Sequence, residues 1–236
     1  MAPECRLRPM PRPAPRSRAI LSSQVSGSRY FFLDLGRAER GDLSLVYGGF
    51  EQCDPDYLIQ RDGFLYEVIE FVAAGAGTVV LNGRATPLRP GSIYGYSTRT
   101  QLEIRADPAR PMAKYFLCFT GARAAERVRH AGVEPNRVRH LALFPEVQSV
   151  LEDILREGQH HRSLTPRICM ALAEVLLLKI RELTRLTGQR SDAAEESFLR
   201  CKGLIDARTD RLQTLGQIAT EAGMESSQLC RLFRRY

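Results

Sequence analysis

"DGFLYEVIEFVAAGAGTVVLNGRATPLRPGSIYGY", residues 62–96, decides the fold class. Its apolar runs are short, rich in β-branched and aromatic residues, and broken every few residues by turn chemistry. "YEVIEFVA" (66–73), "TVVLNG" (78–83) and "SIYGYS" (92–97) read as strands, with "AAGAG" at 73–77 and "RPG" at 89–91 between them. Asn82-Gly83 suits a two-residue hairpin, because both central positions of a type I′ turn need positive φ. The same pattern extends backward to "LSLVYG" (43–48) and forward to "QLEIRA" (101–106) and "KYFLCFTG" (114–121). Closely spaced strands with no helices between them predict an antiparallel sandwich or small barrel over 29–121.

Beyond this block the hydrophobic period becomes helical. "FPEVQSVLEDILREGQ" places Val147, Val150, Leu151, Ile154 and Leu155 on one face. A second helix is expected from "SLTPR", with Thr165 as N-cap and Pro166 at the first helical position. Its stripe of Ile168, Leu172, Val175, Leu176, Ile180, Leu183 and Leu186 fits a dimer seam or an intradomain core, with Lys179 interrupting the heptad. The polar stretch 187–197 reads as a linker and 198–236 as a last helical unit, so the whole is α+β.

The 236 residues carry a formal charge of +7, with 44% hydrophobic and 26% charged residues, which permits an anionic partner without requiring one. Six scattered cysteines with no CxxC pair read as free thiols in a reducing, cytoplasmic setting. Residues 1–28 form a basic tail; the first eighteen hold five prolines and five arginines with no apolar run, so neither a signal peptide nor a membrane span is expected.

In "LGQIATEAGMESSQLCRLFRRY" (215–236) the offsets are those of a helix-turn-helix. Ala219 is the small residue at the crossing, Gly223 the left-handed stop, and Leu229 and Leu232 the inner face of the second helix. Ile218, Ala222 and Phe233 complete the inner positions, and Thr214 with Gln217 forms a capping box. Ser226, Ser227, Gln228, Cys230, Arg231, Arg234 and Arg235 face outward, as DNA-binding residues would. The charge over 190–236 is eight basic against seven acidic residues, +1, so any basic footprint is local.

This C-terminal motif resembles the first helix-turn-helix of the AraC/XylS transcription regulators, and the 62–96 stretch resembles their cupin-type effector domain. The resemblance spans roughly 29–236. It implies a cupin-like antiparallel β-barrel that binds a small-molecule effector, a helical dimerisation region (122–186) forming a homodimer, and a DNA-reading head. It further implies that Ser227, Cys230 and Arg231 face bases, with Ser226 and Gln228 nearer the phosphates. The chain departs from the family pattern in carrying Glu225 before the recognition helix and in ending after one of the family's two helix-turn-helix units. The expected function is a ligand-responsive, sequence-specific transcription regulator; the alternative is a truncated sensing and dimerisation module without stable specific DNA binding.

Tyr66, Glu70, Tyr94, Tyr96 and Arg99 are the candidate effector contacts, the tyrosines serving equally as core with their hydroxyls at the rim. Arg61 and Asp62 fit a solvated turn equally well. His130, His140, His160 and His161 all follow the strands, so the histidine-based metal site of some cupin-like barrels is not expected. No cofactor, metal or enzymatic activity is expected.

Overall fold

A computed structural model describes residues 20–33, 41–141, 144–188, 193–207 and 214–235. The expected tail up to residue 19, the centre of the expected linker (189–192) and the side chains of Leu186 and Arg235 lie outside what is described.

Ten strands precede or interleave with the first helices: β1 (Val25–Phe32), β2 (Ser44–Cys53), β3 (Leu58–Asp62), β4 (Glu67–Ala74), β5 (Gly77–Leu81), β6 (Arg84–Leu88), β7 (Ser92–Tyr96), β8 (Gln101–Ala106), β9 (Ala113–Thr120) and β10 (Val138–His140). They form two antiparallel sheets, ordered β1-β2-β9-β4-β7-β10 and β3-β8-β5-β6. No ladder joins the two sheets among the described residues, so the cupin-like unit is a two-sheet sandwich whose strands do not close into a continuous barrel.

The central strands of the larger sheet are buried on both faces, and this explains their nearly unbroken apolar runs. On β9, Tyr115, Leu117 and Phe119 face one core while Lys114, Phe116 and Cys118 face another. The second core lies between the sheets. The first lies under three helices, α1 (Ala124–His130), α2 (Pro145–Gly158) and α3 (Thr165–Gly188). The architecture is therefore three layers, helix on sheet on sheet.

Local chemistry agrees with this in several places. Asn82 and Gly83 take positive φ (47° and 82°) and close the β5–β6 hairpin. All five expected core residues of α2 are buried. At α3 two faces separate: Cys169, Ala173, Leu176, Leu177 and Ile180 are buried, whereas Leu164, Ile168, Ala171, Val175 and Leu178 are exposed. Lys179 lies off the exposed row, bonded to Glu146 of α2 at 2.6 Å. The start of α3 differs from expectation: Thr165 is already its first helical residue, with Pro166 second, and the Thr165 hydroxyl donates to the Glu157 carboxylate at 2.9 Å instead of capping the helix.

Four strands, β1, β3, β6 and β10, escape the sequence reading. β6 contains Pro87 and survives because it is a sheet edge, where a missing N–H costs no ladder bond. The polar stretch 187–197 is helical at both ends, since α3 reaches Gly188 and α4 spans Ala193–Ala207. Two further helices, α5 (Leu215–Glu221) and α6 (Ser226–Arg235), pack on α4 around Cys201, Ala219, Ala222 and Leu229. Among the described residues no helix is long and apolar enough to cross a membrane.

Candidate functional site

The space between the sheets holds an unusual amount of polar chemistry for a core. Glu51 on β2 lies directly opposite Lys114 on β9, and Glu70 on β4 directly opposite Tyr94 on β7, so register alone brings these groups together. Lys114, only 2% exposed, places its Nζ 2.8 Å from Glu51 Oε2 and 3.1 Å from Glu70 Oε2. Tyr30 and Tyr57 donate to Glu51 at 3.1 and 3.3 Å. Tyr94 and Tyr96 donate to the two oxygens of Glu70, each at 2.9 Å.

Burial alone would raise the Glu51 carboxyl, yet the Lys114 charge and hydrogen bond, with help from Tyr30 and Tyr57, hold it below the ordinary carboxylate range. Burial would likewise lower the Lys114 ammonium, and the facing Glu51 and Glu70 charges keep it well above its usual value. Both groups are therefore ionised near neutrality. Burial also drives the Tyr94 and Tyr96 hydroxyls well above the phenol value, so they act as neutral donors.

Arg61 is different. It projects from β3 into the same interior and is 9% exposed, but its Nε and Nη1 have no partner among the described residues. Its Nη2 donates to the Ile20 carbonyl at a long 3.4 Å, and its guanidinium lies 4.3 Å from the Phe64 ring centre. The buried Tyr47 hydroxyl also lacks a partner among the described residues. Unpaired buried donors of this kind are rare, because each forfeits the hydrogen bonds that water would supply. Arg61, Tyr47, Glu51, Glu70, Lys114 and Ile20 line one cavity of about 10 Å³, enough for a single water.

The expected effector residues thus fall in different places. Glu70, Tyr94 and Tyr96 come together in the interior with their hydrogen bonds made. Tyr66 is half-buried, edge-on to Tyr47 at 5.6 Å. Arg99 is exposed on the β7–β8 turn, in the wall of a separate cleft. Sequence reading missed Glu51, Tyr57, Lys114 and above all Arg61, which sits on a strand with its side chain inside the sandwich, not on a solvated turn. A period-2 reading of "KYFLCF" would have flagged Lys114 as sharing a face with Phe116 and Cys118.

At the other end of the chain α5 and α6 meet through a tight turn. The Thr214 hydroxyl accepts from Gln217 N at 3.3 Å and Gln217 Oε1 accepts from Thr214 N at 3.1 Å, completing the capping box. Gly223, at φ 66°, ends α5; Met224 N donates to Ala219 O at 3.0 Å and Gly223 N to Thr220 O at 3.1 Å, the two bonds of a Schellman stop. Leu229 is buried against Ala219 and Ala222, and Leu232 is half-buried beside them. Phe233 is partly exposed, its ring 5.0 Å from that of Phe198 on α4.

Ser226, Ser227, Gln228, Arg231 and Arg234 are exposed, and Cys230 is half-buried. Before α6 the Glu225 amide donates to Gln228 Oε1 and the Glu225 carboxylate accepts from the Ser227 hydroxyl, each at 3.4 Å.

Comparison with known proteins gives a family. The AraC-like ligand binding domain matches residues 46–177, more than half of the chain. No curated protein sequence matches. Similar solved structures include the AraC-like transcriptional activator CuxR, at 17% identity over 82% of this chain and 71% of that one, with a TM-score of 0.43. Others are the plu4264 protein from Photorhabdus luminescens (10% identity, 46% and 88% covered, TM-score 0.33) and KdgF from Halomonas sp. (17%, 39% and 78%, 0.30). On the match over 46–177, which runs from β2 through β10 and α2 into the first half of α3, the chain belongs to the family of AraC-like ligand-binding domains.

Proposed function

We propose that the chain is a ligand-responsive, sequence-specific DNA-binding transcription regulator, not an enzyme, that acts as a homodimer. The observation that carries the reading is the polarity of α6. Leu229 is buried on Ala219 while Ser226, Ser227, Gln228, Arg231 and Arg234 face solvent, with no acidic residue after Glu225. In this reading Ser227, Cys230 and Arg231 reach base edges, and Ser226 and Gln228 lie toward the phosphates. Replacing Arg231 with alanine is expected to relax preference at one base position by roughly 1–3 kcal/mol. A uniform loss across all sequences in a competition binding assay would instead mean purely electrostatic attachment, the property of a module without specific recognition.

The effector is proposed to enter between the sheets and give an oxygen acceptor to the two partnerless nitrogens of Arg61, with Tyr47 beside it. Two carboxylates (Glu51, Glu70) against two cations (Lys114, Arg61) leave this interior neutral, which favours an uncharged effector. A cavity of about 10 Å³ admits only water, so Ile20, which covers Arg61, has to give way. Tyr66, Tyr94 and Tyr96 then wall the site, Glu70 anchors it, and Arg99 stands outside it.

The dimer is supported by the exposed row that starts just before α3 and runs along it. Leu164, Ile168, Ala171, Val175 and Leu178 recur at intervals of four and three residues, the spacing of a coiled-coil seam. Leu178 is the most exposed of the four large side chains in the row, at 64%. Leu178→Glu is expected to weaken self-association on the order of tenfold or more, since it removes about 1.5–3 kcal/mol of apolar burial and adds a charge. Sedimentation equilibrium reads this directly; an unchanged dimer would place the interface elsewhere.

A further inference from the structure

Outside the sandwich, a cleft of about 330 Å³ opens between the β7–β8 turn and α1, within the range of about 300–1,000 Å³ usual for small-molecule sites. Arg99 lines one wall and Arg129, on α1, another. Glu67, at the start of β4, supplies a half-buried carboxylate between them. The walls are tied together. Asn82 Nδ2 donates to Asn136 Oδ1 at 2.7 Å, Asn82 Oδ1 accepts from Gln101 N at 2.7 Å, and Gly95 bridges to Pro135. The far rim therefore keeps its place without a ligand.

The charges in this cleft do not cancel. Arg99 and Arg129 form no ion pair with any described residue, whereas Arg123, Arg127, Arg137 and Arg139 nearby each bind a carboxylate directly. Two guanidinia against one carboxylate give a local charge of +1. Burial holds the Glu67 carboxyl above the ordinary range, opposed by a Ser97 hydrogen bond and by the Arg129 and Arg99 charges. A half-buried carboxylate beside unfilled space is well placed to accept from a ligand hydroxyl.

We propose that this cleft is a second ligand site, for a small hydroxylated oxyanion, with the oxyanion held between Arg99 and Arg129 and a hydroxyl donated to Glu67. Oxyanion and guanidinium form the stronger class of hydrogen bond, and arginine suits carboxylate and phosphate alike. The site is separate from the interior cavity and opposite to it in electrostatic preference.

The test uses the full chain in thermal-shift titrations with glucose 6-phosphate, gluconate, glucose and sulfate at matched ionic strength. A saturable rise in Tm is expected with glucose 6-phosphate or gluconate, and whichever gives it identifies the oxyanion; glucose and sulfate are expected to give none. Arg99→Ala and Arg129→Ala should each weaken that binding on the order of tenfold while leaving the ligand-free Tm unchanged, because both side chains are exposed. The proposal is overturned if neither hydroxylated anion gives a saturable shift, if sulfate matches them, or if binding survives in the Arg99→Ala/Arg129→Ala double variant.

Discussion

Lys114→Met is expected to cost about 3–5 kcal/mol, a large part of the roughly 5–15 kcal/mol that holds a typical domain. Methionine fills most of the volume, so the loss measures charge and not packing. Glu51 and Glu70 would be left in the core with tyrosine donors and no cation bonded to them, because Arg61 lines the same cavity without pairing with either. The dependence on pH separates this cause from a packing defect. In the native protein the Glu51 carboxyl lies below its ordinary value, so its contribution is present above the ordinary carboxylate range and is lost as pH falls through the folded pKa. The Lys114 ammonium lies well above its ordinary value, so its contribution persists through neutrality and is lost only in strong base.

In the variant the sign for the carboxylates reverses. Without the ammonium, burial favours their protonated forms, so stability is greatest in acid and falls as pH rises past about 4–5. Urea unfolding at about pH 4, 6 and 8 should therefore show the variant losing stability where the native protein holds steady. A loss independent of pH would mean that the ammonium contributes only bulk.

Leu229→Ala is expected to cost about 2–5 kcal/mol, but in a different way. The core of the C-terminal unit is small, consisting of Cys201, Ala219, Ala222 and Leu229 with a few half-buried neighbours. A loss of that size is comparable with all the packing available to α5 and α6, so those helices should open while the sandwich stays folded. Hydrogen exchange would show amides of 215–235 losing protection and those of β4, β7 and β9 keeping it. An equal loss in the sandwich strands would show the two regions to be one cooperative unit.

Much of this molecule could be read from its residues, and the failures share a cause. Periodicity found α2 because a helix with one buried face writes its burial into the spacing of Val147, Val150, Leu151, Ile154 and Leu155. Asn82-Gly83, Thr214–Gln217 and Gly223 were legible because each is a local backbone requirement satisfied by local chemistry. α3 was blurred, since two apolar faces, one packed and one exposed, overlay two periods in one string of letters. Arg61 was left equally open to a solvated turn because charge predicts exposure, and it has no carboxylate partner among the described residues that could have announced its burial. Lys114 was hidden by the same logic: its partners Glu51 and Glu70 lie far away in sequence, and only strand register makes them neighbours.

The middle sheet has one further property. Lys114 and Tyr115 are consecutive on β9, yet Lys114 grips the carboxylates inside the sandwich while the Tyr115 hydroxyl donates at 2.9 Å to Glu152 on α2. Held by ladders to β2 and β4, this one strand fastens the sandwich interior on one side and the helix layer on the other.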